Sequence, residues 1–188
     1  TDKLLSAAGL AAAQNEDYKK VLQEIEDRHL TVVKKLIDIT AQSKVLSKVK
    51  SELNTLETLL EGAFLIGEAT VRLSHKIVSF GELLSSYIIS KFFVHEGLDI
   101  EHMDSRELIK THGGYGKPKV NFEATNANCR EHLLKTSGKI IVMAGFIASS
   151  ENGNATTLGR GGSDFTAAIV ASAVDAKVLE IWTDVSGM

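Results

Sequence analysis

The residues best suited to chemistry lie in one glycine-rich segment, Thr-Thr-Leu-Gly-Arg-Gly-Gly-Ser-Asp, at positions 156–164. The segment falls between a predicted buried strand and a predicted helix. Glycines let backbone N–H groups approach a ligand closely, and the first turn of a helix offers unpaired N–H groups at the positive end of its dipole. Arg160 adds a planar fork of donors that suits a carboxylate or a phosphate. The segment therefore predicts an anion-binding site.

Generic nucleotide-binding motifs do not describe this segment. A Walker A loop needs Gly-Lys-Ser/Thr, whereas Gly162 is followed here by Ser163 and Asp164. A dinucleotide fingerprint would need glycine in place of Asp164. On glycine content alone, a surface loop with Ser163 as the helix cap explains the segment equally well.

Other candidate residues lie at some distance along the chain. Glu82 stands in an apolar run, where a carboxylate is costly unless it is paired, and this favours a binding role. Thr183 and Asp184 end a predicted strand, and open α/β sheets bind ligands at that position, although the pair also suits the start of a turn. Phe146, taken alone, fits the core. The scattered histidines lack the spacing of a protein-built metal site, and Cys129 has no partner for nucleophilic catalysis.

Composition narrows the class of protein. The 188 residues suffice for one domain, and 44% hydrophobic and 24% charged residues are typical of globular proteins. The net charge of −3 gives no overall attraction to nucleic acid or to anionic membranes, and no uninterrupted apolar run is long enough to span a bilayer. Since Cys129 is the only cysteine, nothing requires an oxidising compartment, and we expect a cytoplasmic protein.

The first half of the chain is predicted to be helical, because up to residue 65 it contains only two glycines and no proline. A short first helix capped by Thr1 or Asp2 is followed by a helical hairpin with its turn at 40–43. Apolar residues recur at steps of three and four in both arms of the hairpin, which places them on one stripe of each helix. The stripes are Leu22, Ile25, His29, Val32, Leu36 and Ile39, then Leu46, Val49, Leu53, Leu56, Leu60 and Ala63.

From residue 76 onward, β-branched runs alternate with helices and glycine turns. We predict a buried helix at 76–95 with a left-handed C-cap at Gly97, a helical turn at 105–110, and helices at 126–136 and 163–173. Strands are predicted at 98–103, 119–124, 139–148 and 177–183, with loops at 111–118 and 149–162. The continuous apolar run at 140–144 indicates a strand covered on both faces. The last strand, loop, helix and strand predict a βαβ crossover and thus an α/β fold with helices on both faces of the sheet.

Four blocks of the sequence resemble the signature of the aspartate kinases, within the amino-acid kinase family. They are Gly145-Phe146-Ile147, the segment 156–164, Glu-Ile-Trp-Thr-Asp-Val-Ser-Gly at 180–187, and Val-Ser-Phe-Gly-Glu-Leu-Leu-Ser at 78–85. Their order and spacing are those of the family. Residues 1–5 are similar to the segment after the family's second strand, while the hairpin and residues 98–137 match only in general character.

The resemblance implies a three-layer α/β/α sandwich of the amino-acid kinase type, incomplete here and helix-rich in its N-terminal half. Residues 1–188 would form part of the catalytic domain, with a helical part at 1–75 and an α/β part at 76–188. The implied reaction transfers the γ-phosphoryl group of ATP, which carries Mg²⁺, to the side-chain carboxylate of L-aspartate. This is the first step towards lysine, threonine and methionine. Positioning and charge compensation dominate such a reaction.

The same resemblance implies roles for the matching residues. Arg160 grips a carboxylate of aspartate, Glu82 accepts hydrogen bonds from its ammonium group, and Phe146 walls the pocket. Groups at the start of the last helix bind substrate oxygens: the hydroxyl of Ser163 and the N–H groups of Gly161 and Gly162. Asp164 orients catalytic lysines and is not expected to act as a base, because the substrate carboxylate is already ionised at pH 7. Thr183 and Asp184 contact the nucleotide.

Part of the family's apparatus does not occur in these 188 residues. The Lys-Phe-Gly-Gly-Thr-Ser element, whose lysine and glycines hold the transferring phosphate, is absent from the sequence, which begins at Thr1 and ends at Met188 like an internal piece. We therefore expect kinase activity, allosteric control and a homo-oligomeric state of a longer protein, with negligible activity of these residues alone. A fusion to homoserine dehydrogenase and a monofunctional enzyme are both compatible with the sequence.

Two other interpretations stay open at this point. Another member of the amino-acid kinase family would share the fold but phosphorylate a different acceptor. A non-catalytic helical interaction module would use the two apolar stripes, although each covers only about two and a half heptads, short of a persuasive coiled coil.

Overall fold

The structure is a computed structural model that describes residues 1–114, 116, 118–136 and 138–182. Its helices are α1 (Asp2–Ala12), α2 (Tyr18–Leu36), α3 (Ile39–Ile66), α4 (Val71–His95), α5 (Ser105–Leu108), α6 (Phe122–Leu133) and α7 (Gly162–Ala173). Its strands are β1 (Ile100–Met103), β2 (Lys110–His112), β3 (Lys119–Val120), β4 (Ile140–Met143), β5 (Ile147–Ser150) and β6 (Ala155–Thr157). The first half is helical and the second half mixes helices and strands.

The helical half packs α1 to α4 around one hydrophobic cluster. The predicted stripe of α3 is confirmed from Val49 to Ala63, where its members are buried. The stripe of α2 fails at its end, because Ile39 is 82% exposed and Ile37 is buried instead. The turn lies at Ile37 and Asp38, not at 40–43, since both residues are extended and Asp38 occupies the N-cap of α3. Both stripes therefore serve the chain's own core.

Helix α4 links the two halves of the chain. It starts at Val71, five residues before the predicted start, because the Thr70 hydroxyl accepts a hydrogen bond from the Leu73 N–H at 3.2 Å and caps the helix. It ends as predicted, with Gly97 at a φ of 86°. Within the described residues α4 is the helix with the length and apolarity of a membrane span, but core helices of water-soluble proteins share those properties. Here α4 packs against α1, α3, β1 and β6.

The strands form two small sheets instead of one. Parallel strands β1 and β4 pair from Ile100 with Ile140 to Met103 with Met143. The second sheet has the order β3-β2-β5-β6, in which β2 and β5 are parallel and the other neighbours antiparallel. A second hydrophobic cluster, which includes Leu108, Ile109, Cys129, Ala148 and Ile169, lies between these strands and α5, α6 and α7.

Several predicted strands and loops are wrong. The strand predicted at 139–148 is two strands in different sheets, and it is not covered on both faces, since Ile140 is 53% exposed. The loop predicted at 149–162 contains β6, which forms a hairpin with β5. Residues 177–182 form no strand in the part of the chain that is described, so the predicted βαβ crossover is not completed there. Thr183, the last residue of that predicted strand, lies outside the described residues.

Two shorter segments also differ from the prediction. Residues 110–112 pair as β2, whereas a helical turn and a loop were expected, and α5 ends at Leu108. The strand predicted at 119–124 stops at Val120, because the Asn121 side chain accepts a hydrogen bond from the Ala124 N–H at 3.1 Å and caps α6. Strand β3 lies at the edge of its sheet.

Replacing Leu56 by alanine tests the packing of the helical half. Leu56 is 0% exposed on α3, and a large-to-small change at such a site costs about 2–5 kcal/mol. We expect urea denaturation of the chain to show a loss of this size in the free energy of unfolding. Leu65→Ala in the same helix is the control, because Leu65 is 71% exposed and its loss should cost no more than about 0.5 kcal/mol. Equal losses for the two variants would contradict the observed packing.

Candidate functional site

The candidate site is built at the break between β4 and β5. The Ile147 N–H donates to the Gly145 carbonyl at 2.7 Å, and Phe146 between them has a φ of 68°. A hydrogen bond from residue i+2 to residue i around a positive φ defines a classic γ-turn, which is rare and strained. Strained residues of this kind cluster at active sites and ligand clamps, where the surroundings hold them in place. The turn sends the chain from one sheet to the other.

Hydrogen bonds on both sides hold Phe146 in this conformation. Its N–H donates to the Thr166 hydroxyl at 3.0 Å, and its carbonyl accepts from the Leu158 N–H at 2.8 Å. The Thr166 hydroxyl in turn donates to the Gly162 carbonyl at 2.8 Å. The turn is thereby joined to the end of β6 and to the first turn of α7.

Two glycines allow the γ-turn and the start of α7 to approach each other. A Cβ atom on Gly145 would lie 2.8 Å from the Cα of Ser163, and one on Gly162 would lie 2.9 Å from the Phe146 ring. Neither position has room for a side chain. The glycine-rich segment 159–164, which leads into α7, therefore lies directly at the carboxyl end of β4.

The glycine-rich loop itself turns through two left-handed residues, Gly159 at a φ of 78° and Gly161 at 72°. The Gly162 N–H donates to the Gly159 carbonyl at 3.0 Å and thus closes the loop. The N–H groups of Ser163 and Asp164 belong to the first turn of α7, whose amides have no partner inside their own helix. They point to an anion site at the α7 N-terminus.

Arg160 and Phe146 meet in one cleft of about 430 Å³, which Thr1, His75, Thr157 and Gly159 also line. Arg160 is exposed, and it forms no ion pair with any described residue. A guanidinium that faces a cleft beside an aromatic ring and has no protein carboxylate as partner is well suited to bind an anionic ligand.

Glu82 lines a neighbouring cleft of about 420 Å³ between α1, α2 and α4, together with Thr1, Arg28 and His29. It is half-buried, and burial raises the pKa of its carboxyl group. Among the described residues it has no salt-bridge partner within 4 Å. A desolvated, unpaired carboxylate in a cleft is a candidate for binding a cation such as an ammonium group.

The two clefts share Thr1 and one face of α4. His75, Val78 and Glu82 recur at intervals of three and four residues, so they lie on the same side of that helix. His75 and Val78 line the cleft of Arg160, and Glu82 lines the next one. The structure thus places Phe146, Arg160 and Glu82 along one surface.

The other predicted site residues lie around this surface or outside the described chain. Gly161, Ser163 and Asp164 are exposed at the start of α7, whereas Gly162 is buried and contributes its small size to the packing. Asp164 stands in the first turn, where a negative charge also suits the helix dipole. Thr183 and Asp184 lie outside the described residues.

Sequence reasoning missed His75, and it gave Thr157, within the glycine-rich segment, no role of its own. The Thr157 N–H donates to Nδ1 of His75 at 2.9 Å, and the Thr157 hydroxyl lies 3.0 Å from the same atom. These residues are 82 positions apart, so no local pattern relates them. The predicted helix began at residue 76, just after His75, so the seven-residue spacing of His75 and Glu82 gave no signal either.

Comparison with known families agrees with this fold. The sequence matches the amino acid kinase family over residues 1–188, and the chain belongs to that family. Its α/β fold is the amino-acid kinase fold, incomplete in this chain, as the resemblance of the sequence blocks predicted.

Aspartokinases are among the proteins that are similar to this chain. The chain is 33% identical to the chloroplastic bifunctional aspartokinase/homoserine dehydrogenase 2 of Zea mays over 189 residues, which cover 100% of this chain and 21% of the relative. It is 33% identical to the lysine-sensitive aspartokinase 3 of Escherichia coli over 139 residues, which cover 71% of this chain and 31% of that protein.

The crystal structure of E. coli aspartokinase III in complex with aspartate and ADP matches with a TM-score of 0.89 at 26% identity, covering 100% of this chain and 41% of that one. The chain thus spans about a fifth of the length of the maize relative.

Gly145→Ala tests the close approach of the γ-turn and α7. The new methyl group would have to displace the backbone of Ser163, and overpacking of this kind costs about 1–3 kcal/mol. Gly62→Ala is the matched control, because Gly62 is in α3 with nothing within 4 Å, and alanine there should stabilise the helix by about 0.5–1 kcal/mol. Thermal unfolding of both variants measures the difference. An undestabilised Gly145→Ala variant would show that the approach is not tight.

Glu82→Gln tests the buried carboxylate through the pH dependence of stability. Because burial raises the pKa in the folded state, the folded protein binds this proton more strongly than the unfolded chain. The stabilisation is fully present below the unfolded pKa and is lost as the pH rises through the folded pKa. We therefore expect the glutamine variant to gain stability relative to wild type as the pH rises above about 4, the ordinary pKa of a glutamate.

Urea denaturation at several pH values measures this trend. Glu57→Gln, on the exposed face of α3, is the control and should show a smaller change. A Glu82→Gln variant that loses relative stability with rising pH would mean that a partner stabilises the carboxylate.

Proposed function

We propose that this chain is the substrate-holding part of an aspartate kinase, which makes 4-phospho-L-aspartate and ADP from L-aspartate and ATP. The observation that carries the proposal is the position of Arg160 and Phe146 in one cleft and of Glu82 in the next, with Thr1 lining both. An amino acid presents a carboxylate and an ammonium group. The surface offers an unpaired guanidinium for the first and an unpaired carboxylate for the second.

The proposed reaction needs no general base. A side-chain carboxylate oxygen of aspartate attacks the γ-phosphorus of ATP, the bond from that phosphorus to the bridging oxygen breaks, and ADP leaves with the electron pair. The attacking carboxylate is already ionised at neutral pH. Two anions must be brought together, so the protein contributes position and positive charge.

Each residue has a role that follows from its chemistry. Arg160 binds a carboxylate of the substrate through its planar fork, and Glu82 accepts hydrogen bonds from the substrate ammonium group. Phe146 excludes water from the reacting groups. The first-turn amides of α7, with Gly161, Gly162 and the Ser163 hydroxyl, form the cradle for substrate oxygens. Asp164 is proposed to orient lysines supplied from outside these residues.

The nucleotide is proposed to bring its own Mg²⁺. Among the described residues no three His, Cys, Asp or Glu side chains cluster in a way that holds a metal ion, while the α7 N-terminus suits an anion such as a phosphate. Thr183 and Asp184, outside the described residues, are proposed to contact ATP. The bound ADP of the E. coli relative supports a nucleotide site in the family.

The wider setting follows from the relatives and the composition. We propose that residues 1–188 are one part of the catalytic domain of a longer, homo-oligomeric enzyme of amino-acid biosynthesis, because the chain covers 21% of its maize relative. Allosteric control is proposed because the E. coli relative has been crystallised with lysine in a T-state. The relatives include a chloroplastic and a bacterial protein, and the cytoplasm is the compartment proposed here, where the buried free thiol of Cys129 stays reduced. Neither nucleic acid nor a membrane is a proposed partner.

The helical interaction module is not favoured. Its two apolar stripes would need to face a partner, but Leu53, Leu56 and Leu60 are 3% exposed or less within the chain's own helical cluster. That leaves the hairpin as part of the catalytic domain's core.

Coupled ADP-release assays on the longer protein test the proposal, with L-aspartate, L-glutamate and D-aspartate as acceptors and Arg160→Lys as the variant. We expect turnover of L-aspartate, and a KM for aspartate about tenfold higher in the variant, because lysine keeps the charge but loses the bidentate hydrogen bonds. The KM for ATP should stay nearly unchanged. The 188 residues alone should be inactive. Phosphorylation of another acid in preference to aspartate would indicate a different amino-acid kinase. An unchanged KM for aspartate in Arg160→Lys would mean that Arg160 does not bind the substrate.

A further inference from the structure

We infer that His75 is a positioning residue for aspartate binding, an inference that rests on the proposed function. Its Nδ1 atom accepts the hydrogen bond from the Thr157 N–H at 2.9 Å and faces the Thr157 hydroxyl at 3.0 Å. An amide nitrogen can only donate, so Nδ1 carries no proton and the ring is neutral with its proton on Nε2. The contact joins α4 to the last residue of β6.

The glycine-rich loop departs from this point. Thr157 is paired with Ile147 in the sheet, and the next residue, Leu158, donates its N–H to the carbonyl of Phe146 at 2.8 Å. Gly159 and Arg160 follow without further pairing to a strand. The hydrogen bond from Thr157 to His75 therefore fixes the end from which Arg160 projects.

Helix α4 also carries Glu82, the second residue proposed to bind aspartate. His75 and Glu82 are seven residues apart on one helical face, which corresponds to about 10 Å along the axis. The helix is rigidly seated, because Ile77, Phe80 and Leu84 between and beyond them are buried in the helical cluster. By tying Thr157 to this helix, His75 sets where the guanidinium of Arg160 stands relative to the carboxylate of Glu82.

A second contact between the same elements provides a matched control. The Arg72 guanidinium donates to the Asn154 side chain at 2.6 Å, at the turn between β5 and β6. This contact is exposed and lies at the end of β6 remote from the loop. Losing it should loosen the hairpin turn without moving Arg160.

The test uses the longer protein with three variants: His75→Leu, which removes the acceptor, His75→Asn, whose side-chain oxygen can replace Nδ1, and Arg72→Leu. We expect His75→Leu to raise the KM for aspartate by about tenfold, the effect of losing one part-buried hydrogen bond, with the KM for ATP within about twofold of wild type. His75→Asn should recover most of the loss. Arg72→Leu should stay near wild type.

Three kinetic results would each overturn the inference: an unchanged KM for aspartate in His75→Leu, no recovery in His75→Asn, or an equal rise in Arg72→Leu. Hydrogen exchange of amides 157–162 provides a readout that does not depend on turnover. His75→Leu should accelerate exchange in this segment more than Arg72→Leu does, and equal exchange would refute the positioning role. If the wild-type protein does not phosphorylate aspartate, the proposed function fails, and exchange alone then decides whether His75 holds the loop.

Discussion

The site depends on the direct contact between the backbone of Gly145 and the backbone of Ser163. A Cβ atom added to Gly145 would lie only 2.8 Å from the Cα of Ser163, so this contact exists only because residue 145 has no side chain. It brings the amide-rich first turn of α7 to the carboxyl end of β4. It also obliges the chain to leave β4 through the strained conformation of Phe146, which the Thr166 hydroxyl and the Leu158 N–H stabilise. Positive electrostatic potential from the helix dipole and an aromatic wall thereby arise at one place.

Helix α4 contributes the second part of the candidate site. Its buried face belongs to the helical core, and its other face passes from the cleft of Arg160 to the cleft of Glu82. Because the core fixes the helix, the carboxylate of Glu82 is held on a rigid element. The guanidinium of Arg160 is held on a loop that is tied to the same helix. Such an arrangement suits an amino acid, which carries charges of both signs. Without that ligand, the burial of Glu82 beside no protein partner destabilises its ionised form. Stability given up at a site in this way is common where a ligand supplies the missing partner.

The sequence predicted the features that are local in the chain. The start of α7, the C-cap at Gly97 and the stripe of α3 each follow from residues within one or two turns, and the structure agrees. The run at 139–148 was misread because continuous apolarity has no period and conceals the γ-turn at Phe146. The end of the α2 stripe was misread because Ile37 and Ile39 are both apolar, and only the cap at Asp38 decides which one is buried. The hydrogen bond between Thr157 and His75 spans 82 residues and could not be read from local spacing.

A crystal structure of the longer protein with L-aspartate and a non-hydrolysable ATP analogue tests the central claim most directly. We expect one aspartate molecule whose carboxylate accepts hydrogen bonds from Arg160 and whose ammonium group donates to Glu82, with Phe146 against it and the phosphates beside the start of α7. Aspartate bound away from both Arg160 and Glu82, with the start of α7 in contact with neither ligand, would contradict it.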